Sequence, residues 1–110
     1  MSHDMTVAHR QVEITNYLGL HVRPASRFVE LASRFQSEVR VRSNNNEFNG
    51  KSLLELTMMA AECGTRLELE ARGPDADAAV EALAELVSAR FYEDEDGEPI
   101  GAGPGLEPGP

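Results

Sequence analysis

A chain of 110 residues, 41% apolar and 26% charged, has room for one domain built around one core. Its formal charge of −9 argues against general nucleic-acid binding, which needs Lys and Arg clustered against phosphates. No run approaches the roughly 20 consecutive apolar residues of a membrane span, and the opening MSHDMTVAHRQ lacks the apolar stretch of a secretory signal.

The charge is unevenly spread. Residues 93–110, EDEDGEPIGAGPGLEPGP, hold six acids and no base, with four of the six prolines and five of the nine glycines. They contribute −6, which leaves only −3 for residues 1–92. Such a composition buries too little apolar surface to offset the entropy of ordering it, so 93–110 is expected to be a disordered tail. A flexible N-terminus over 1–8 and one domain over 9–92 complete the expected organisation. The single cysteine, Cys63, allows no intrachain disulfide, and a reducing compartment fits; the expectation is a cytoplasmic monomer.

Within the domain, Arg10–Thr15 alternates, with Val12 and Ile14 on one face, and predicts a strand. Residues 22–35 place Ala25, Phe28, Val29, Ala32 and Phe35 at helical spacing. Ser37–Arg42 alternates again, with Val39 and Val41 inward. Asn44–Asn46 is turn chemistry, because Asn tolerates left-handed backbone, and a short strand with a buried Phe48 follows. Ser52-Leu53-Leu54-Glu55 has the capping-box pattern and opens a short helix expected to end near Gly64. Arg66–Arg72 buries Leu67, Leu69 and Ala71. Gly73-Pro74-Asp75 breaks that strand, with Asp75 expected to cap a helix over 75–90 whose stripe is Ala79, Val80, Leu83, Leu86 and Val87. The order β-α-β-β-α-β-α, with short half-wet strands, predicts a two-layer α+β domain with helices on one face of an antiparallel sheet.

The sharpest chemical feature is Gly19-Leu20-His21-Val22-Arg23-Pro24-Ala25, which joins the first strand to the first helix. Pro24 is tolerated in a first turn, since the amide it lacks has no intrahelical acceptor there. His21 then stands at the helix N-terminus, where backbone N–H groups and the positive end of the dipole favour an anion. A neutral imidazole is a nucleophile, and Arg23 adds charge-assisted donors for phosphate oxygens. Nucleophile, anion site and cation together suit a protein that receives a phosphoryl group on His21, with Val22 and Arg23 as phosphate-binding neighbours. Nothing in the pattern asks for a metal or a cofactor: His3, His9 and Cys63 lack ligand spacing, and Gly50-Lys51-Ser52 lacks the earlier glycine of a P-loop.

That heptapeptide resembles the G-L-H-x-R-P-A motif of the histidine-containing phosphocarrier (HPr) family of the bacterial phosphotransferase system, and Lys51-Ser52-Leu53 matches a second family site at the usual separation. The resemblance spans about residues 10–90. It implies an open-faced β-sandwich, a four-stranded antiparallel sheet with three helices on one face. It also implies a carrier rather than a turnover enzyme. His21 would accept a phosphoryl group at Nδ1 from phosphorylated Enzyme I and donate it to IIA components of sugar permeases, with Arg23 neutralising phosphate charge. Ser52 matches the site modified by HPr kinase/phosphorylase, although a helix N-cap explains a serine there equally well. The implied partner surface comprises Val22, Ser26, Leu53 and Leu54, with Arg27 and Lys51 steering an acidic partner. Glu30 and Glu55 stand where enteric relatives are often basic, and Tyr17-Leu18 replaces a common polar pair. Two other readings are a regulatory interaction module controlled at Ser52 in carbon or nitrogen regulation, and a small hydrolase using His21.

Overall fold

The computed structural model describes residues 6–92. Chain order is β1 (Val7–Glu13), α1 (Val22–Ala32), β2 (Glu38–Ser43), β3 (Asn46–Asn49), α2 (Leu53–Met59), β4 (Arg66–Arg72) and α3 (Ala76–Ser88), followed by a tight turn at Arg90–Tyr92. The strands form one sheet in the order β1-β4-β2-β3, and every neighbouring pair is antiparallel. This is the predicted open-faced two-layer α+β architecture, with three helices over one face. Among the described residues no helix is long and apolar enough to cross a membrane.

The two-residue period of β4 decides how the layers sort. Leu67, Leu69 and Ala71 point into the core and are at most 3% exposed, while Glu68, Glu70 and Arg72 line the uncovered face. Val39 and Val41 of β2 join them inside, with Val41 paired to Leu69. From the other layer come Ala25, Phe28 and Ala32 of α1, Leu56 of α2, and Ala79, Val80, Leu83, Leu86 and Val87 of α3. Phe48 is half-buried rather than enclosed, because β3 is an edge strand.

The uncovered face is held by charge. Glu70 is buried between two arginines, with Arg42 Nη1 at 2.5 Å and Arg72 Nη2 at 2.9 Å. Hydrogen bonds from Arg72 above all, reinforced by Arg42, hold its carboxyl below the ordinary carboxylate range against the cost of burial. His9 Nδ1 lies 3.0 Å from Glu68, and Arg40 bridges Glu38 and Glu47.

Element ends differ from the periodic pattern in four places, each for a local reason. First, β1 starts at Val7, because Val7 and Ala8 pair with Arg72 and Ala71. Second, α1 stops at Ala32; the amides of Arg34 and Phe35 turn back to Leu31 and Ala32, and Lys51 Nζ donates to the Phe35 carbonyl at 2.8 Å. Third, α2 stops at Met59 rather than near Gly64, with Ala60 in the left-handed conformation usually left to glycine. Fourth, Asp75 stands at the N-cap of α3 without capping it. Its carboxylate accepts instead from the Gln36 and Ser37 amides, both at 2.9 Å, and from Ser37 Oγ at 2.5 Å. The Ser37 hydroxyl leads in lowering the Asp75 pKa below its ordinary value. The Asn44–Asn45 turn behaves as expected: both residues have positive φ and close a two-residue hairpin over the Ser43–Asn46 pair.

After α3 the chain takes three consecutive left-handed residues, Arg90, Phe91 and Tyr92, with φ of 57°, 55° and 58°. Left-handed backbone costs roughly 1 kcal/mol or more per non-glycine residue. Phe91 offsets part of that cost: its side chain is 0% exposed, and such burial contributes about 1.5–3 kcal/mol.

Candidate functional site

The β1–α1 connection is clamped from inside. Asn16 is fully buried, its Nδ2 donates to the Gly19 carbonyl at 2.7 Å, and the Gly19 amide returns to the Asn16 carbonyl at 3.1 Å. Gly19 has φ +73°, and a Cβ there would stand 2.6 Å from the Ala61 carbonyl oxygen and 2.8 Å from Glu62 Cα. Only glycine fits both the conformation and the approach. The Leu20 amide then donates to Ala61 O at 2.8 Å, so the loop is fastened to the segment that follows α2.

This clamp delivers His21 to the N-cap of α1 in extended conformation, φ −87° and ψ −169°. Its carbonyl accepts from the Ala25 amide at 2.9 Å, opening the helix, and its ring is half-buried with Nε2 enclosed. Val22 and Arg23 follow as the first two helical residues, with Pro24 buried as the third. The amides of a first turn have no carbonyl to reach within the helix. No acidic residue occupies this turn. The Arg23 side chain is exposed. His21, Val22 and Arg23 therefore stand together at the start of α1.

Around them lies apolar surface that the core leaves out. Val22 is 61% exposed and Leu54 69%, and Leu53 is also solvent-facing, as is the Ser26 side chain. Leu54 thus belongs to the surface and not to the core. Tyr17, Leu18 and Met58 are exposed as well, and none of them was assigned to the partner surface from sequence. Met58 stands one turn after Leu54 on α2, and Tyr17-Leu18 lies in the clamped loop immediately before Gly19. The signal for both was adjacency: four residues along a helix, and two residues before the motif.

Two expected steering charges each make a hydrogen bond within the fold. Arg27 Nη1 donates to the Phe91 carbonyl, fixing the end of the domain to α1. Lys51 Nζ donates to Phe35 O and braces the end of that helix. Ser52 does cap α2: its Oγ accepts from the Glu55 amide at 3.2 Å. The reciprocal half of the capping box is altered, since Glu55 Oε1 accepts from the Asn49 amide at 2.7 Å. Glu55 thereby serves the turn before α2.

Comparison with known proteins identifies the family of the chain. The family profile described as "PTS HPr component phosphorylation site" matches residues 8–89. The phosphocarrier protein HPr of Neisseria meningitidis is 45% identical over 86 residues, covering 78% of this chain and 97% of that one. The phosphocarrier protein NPr of Shewanella violacea is 40% identical over 89 residues, covering 81% and 98%. Among solved structures, HPr-C-His from Thermoanaerobacter tengcongensis superposes with a TM-score of 0.77 at 36% identity, covering 79% of this chain and 98% of that one. A clamped His-x-Arg-Pro helix start on this sheet order, with relatives matched almost end to end, places the chain in the HPr family of phosphocarrier proteins.

Proposed function

We propose that the protein carries a phosphoryl group on His21 Nδ1, taking it from phosphorylated Enzyme I and giving it to IIA components of sugar permeases in the cytoplasm. The observation that carries this reading is the placement of His21 at the N-cap of α1, with Arg23 two residues on and no acid in the first turn. Nε2 is enclosed, which supports Nδ1 as the acceptor of the two ring nitrogens. Its lone pair attacks phosphorus in line as the bond from phosphorus to the donor breaks, and the three equatorial oxygens carry the charge through the transition state. First-turn amides and the Arg23 guanidinium are the groups to meet that charge. The same contacts hold the phosphorylated product until a IIA nucleophile reverses the step. Leu53, Leu54, Met58, Tyr17, Leu18 and Val22 supply apolar contact for both partners, which removes water from the transfer.

Incubation with Enzyme I and labelled phosphoenolpyruvate tests the reading. The expected product is an acid-labile, base-stable phosphate that is absent from His21→Ala. Label retained in that variant would show that the phosphoryl group goes elsewhere.

A second reading, regulation through Ser52, is supported by that residue's position beside the exposed Leu53 and Leu54. A phosphate there adds about −1.5 to −2 charge at the edge of the apolar surface, repelling an acidic partner while the core stays untouched. HPr kinase/phosphorylase with ATP should leave an acid-stable phosphate that Ser52→Ala lacks; an unchanged yield in Ser52→Ala excludes this site.

A further inference from the structure

We infer that Asn16 is a positioning residue for phosphoryl transfer: acting through the Gly19 carbonyl, its side-chain amide fixes the backbone that aims the His21 ring, and the transfer rate depends on it. The effect on rate rests on the reading of His21 as the phosphoryl acceptor and deepens it, whereas the hold on the His21 backbone does not depend on that reading.

Asn16 is the odd residue of its loop. The apolar side chains that follow it, Tyr17 and Leu18, are 65% and 52% exposed, whereas Asn16 is 0% exposed. Enclosing an amide while two apolar neighbours stay wet is costly unless the amide is bonded inside. Asn16 Nδ2 meets that condition with its bond to Gly19 O. An apolar side chain of similar volume would fill the same space without a polar group to satisfy. What only the amide supplies is the grip on Gly19.

That grip falls on the peptide unit that leads into the nucleophile. The carbonyl end of the Gly19–Leu20 peptide accepts from Asn16 Nδ2 at 2.7 Å and from the His21 amide at 3.0 Å, which closes a three-residue turn about Leu20. Its N–H end, the Leu20 amide, donates to Ala61 O at 2.8 Å. The plane is therefore held at both ends, and the Leu20 side chain is buried as well. His21 follows with its own amide committed to the same carbonyl that Asn16 holds, and its backbone is extended before α1 begins.

An in-line step depends on where the ring nitrogen stands relative to phosphorus, and small displacements of an attacking atom cost rate without costing affinity. Releasing the Gly19 carbonyl frees the peptide plane from one of its holds, one residue before the ring. Binding of the partner, through the exposed Val22, Leu53 and Leu54, is left as it was.

The test uses the full chain with Asn16→Leu, which keeps volume and removes the donor, and Asn16→Ser, which keeps a polar atom but shortens the side chain. Single-turnover transfer from phosphorylated Enzyme I is measured over a range of concentrations, with the folded fraction taken from urea curves. For folded protein the maximal rate should fall about tenfold in both variants, with the half-saturating concentration within about twofold of the natural chain. An unchanged maximal rate reduces Asn16 to a structural staple and overturns the inference. A raised half-saturating concentration with the maximal rate intact moves the effect to partner docking and overturns it equally. Nitrogen-15 spectra follow the link without a partner: the His21 amide and ring signals should move in both variants, and unmoved signals contradict the positioning. Should neither variant fold, the natural chain decides, because its Asn16 side-chain amide signal should shift when His21 is phosphorylated; a signal that stays in place contradicts the link. A natural chain that takes no phosphate from Enzyme I sinks the carrier reading, and the His21 signals of the variants then judge the positioning by themselves.

Discussion

Two surfaces of this domain are built on opposite rules. The uncovered sheet face is crowded with charges that answer one another: Glu70 between Arg42 and Arg72, His9 against Glu68, and Arg40 between Glu38 and Glu47. The end that carries His21 exposes Val22, Leu54, Met58, Tyr17 and Leu18 to solvent and points a helix N-terminus outward. A surface that satisfies its own charges asks nothing of a partner, whereas one that leaves apolar side chains wet beside a helix N-terminus gains from being covered. Stability and transfer should therefore respond to different substitutions.

The largest expected effect is at Arg23. Arg23→Ala should slow phosphoryl transfer about a hundredfold while leaving the denaturation midpoint nearly unchanged, because the side chain is exposed. Stopped-flow transfer from Enzyme I beside urea unfolding separates the two quantities. A large stability loss with intact transfer would reverse the comparison.

Next comes the other surface. Glu70→Ala removes hydrogen bonds to two charged groups and should cost about 1–2 kcal/mol, reduced because both arginines can return to water. Transfer rates should stay within twofold. Leu54→Ser should do the opposite, weakening Enzyme I binding about tenfold by calorimetry while changing stability by less than about 0.5 kcal/mol.

The smallest effect is in pH. Glu70 and Asp75 both have carboxyl groups held below their ordinary range in the fold, so the unfolded chain takes up protons first as pH falls. Their contribution is complete above about pH 5 and is lost progressively in more acid solution. Stability measured by denaturant between about pH 6 and pH 3 should fall less steeply for Glu70→Gln than for the natural chain. Parallel profiles would remove Glu70 from the acid response.

How much of this was legible in the sequence follows from range. β4 could be read to the residue because Leu67, Leu69 and Ala71 alternate without interruption, and the Asn44–Asn45 turn because two residues decide it. His21 and Arg23 were legible because their placement depends on a helix start encoded within seven residues. The features that local pattern did not expose depend on distant partners. Asp75 leaves α3 uncapped for the amides of Gln36 and Ser37, almost 40 residues away. Arg27 is taken by the Phe91 carbonyl and Lys51 by that of Phe35, neither of which local pattern exposes. Asn16 and Ala60 belong to the same class: a buried staple and a left-handed alanine make sense only once the loop around Ala61 is in place.

The central claim concerns one nitrogen. Phosphorus–nitrogen coupling, measured on the chain after incubation with Enzyme I and phosphoenolpyruvate, should appear at His21 Nδ1, with the rings of His3 and His9 unmodified. Coupling at Nε2, or at either of the other two histidines, would contradict the account.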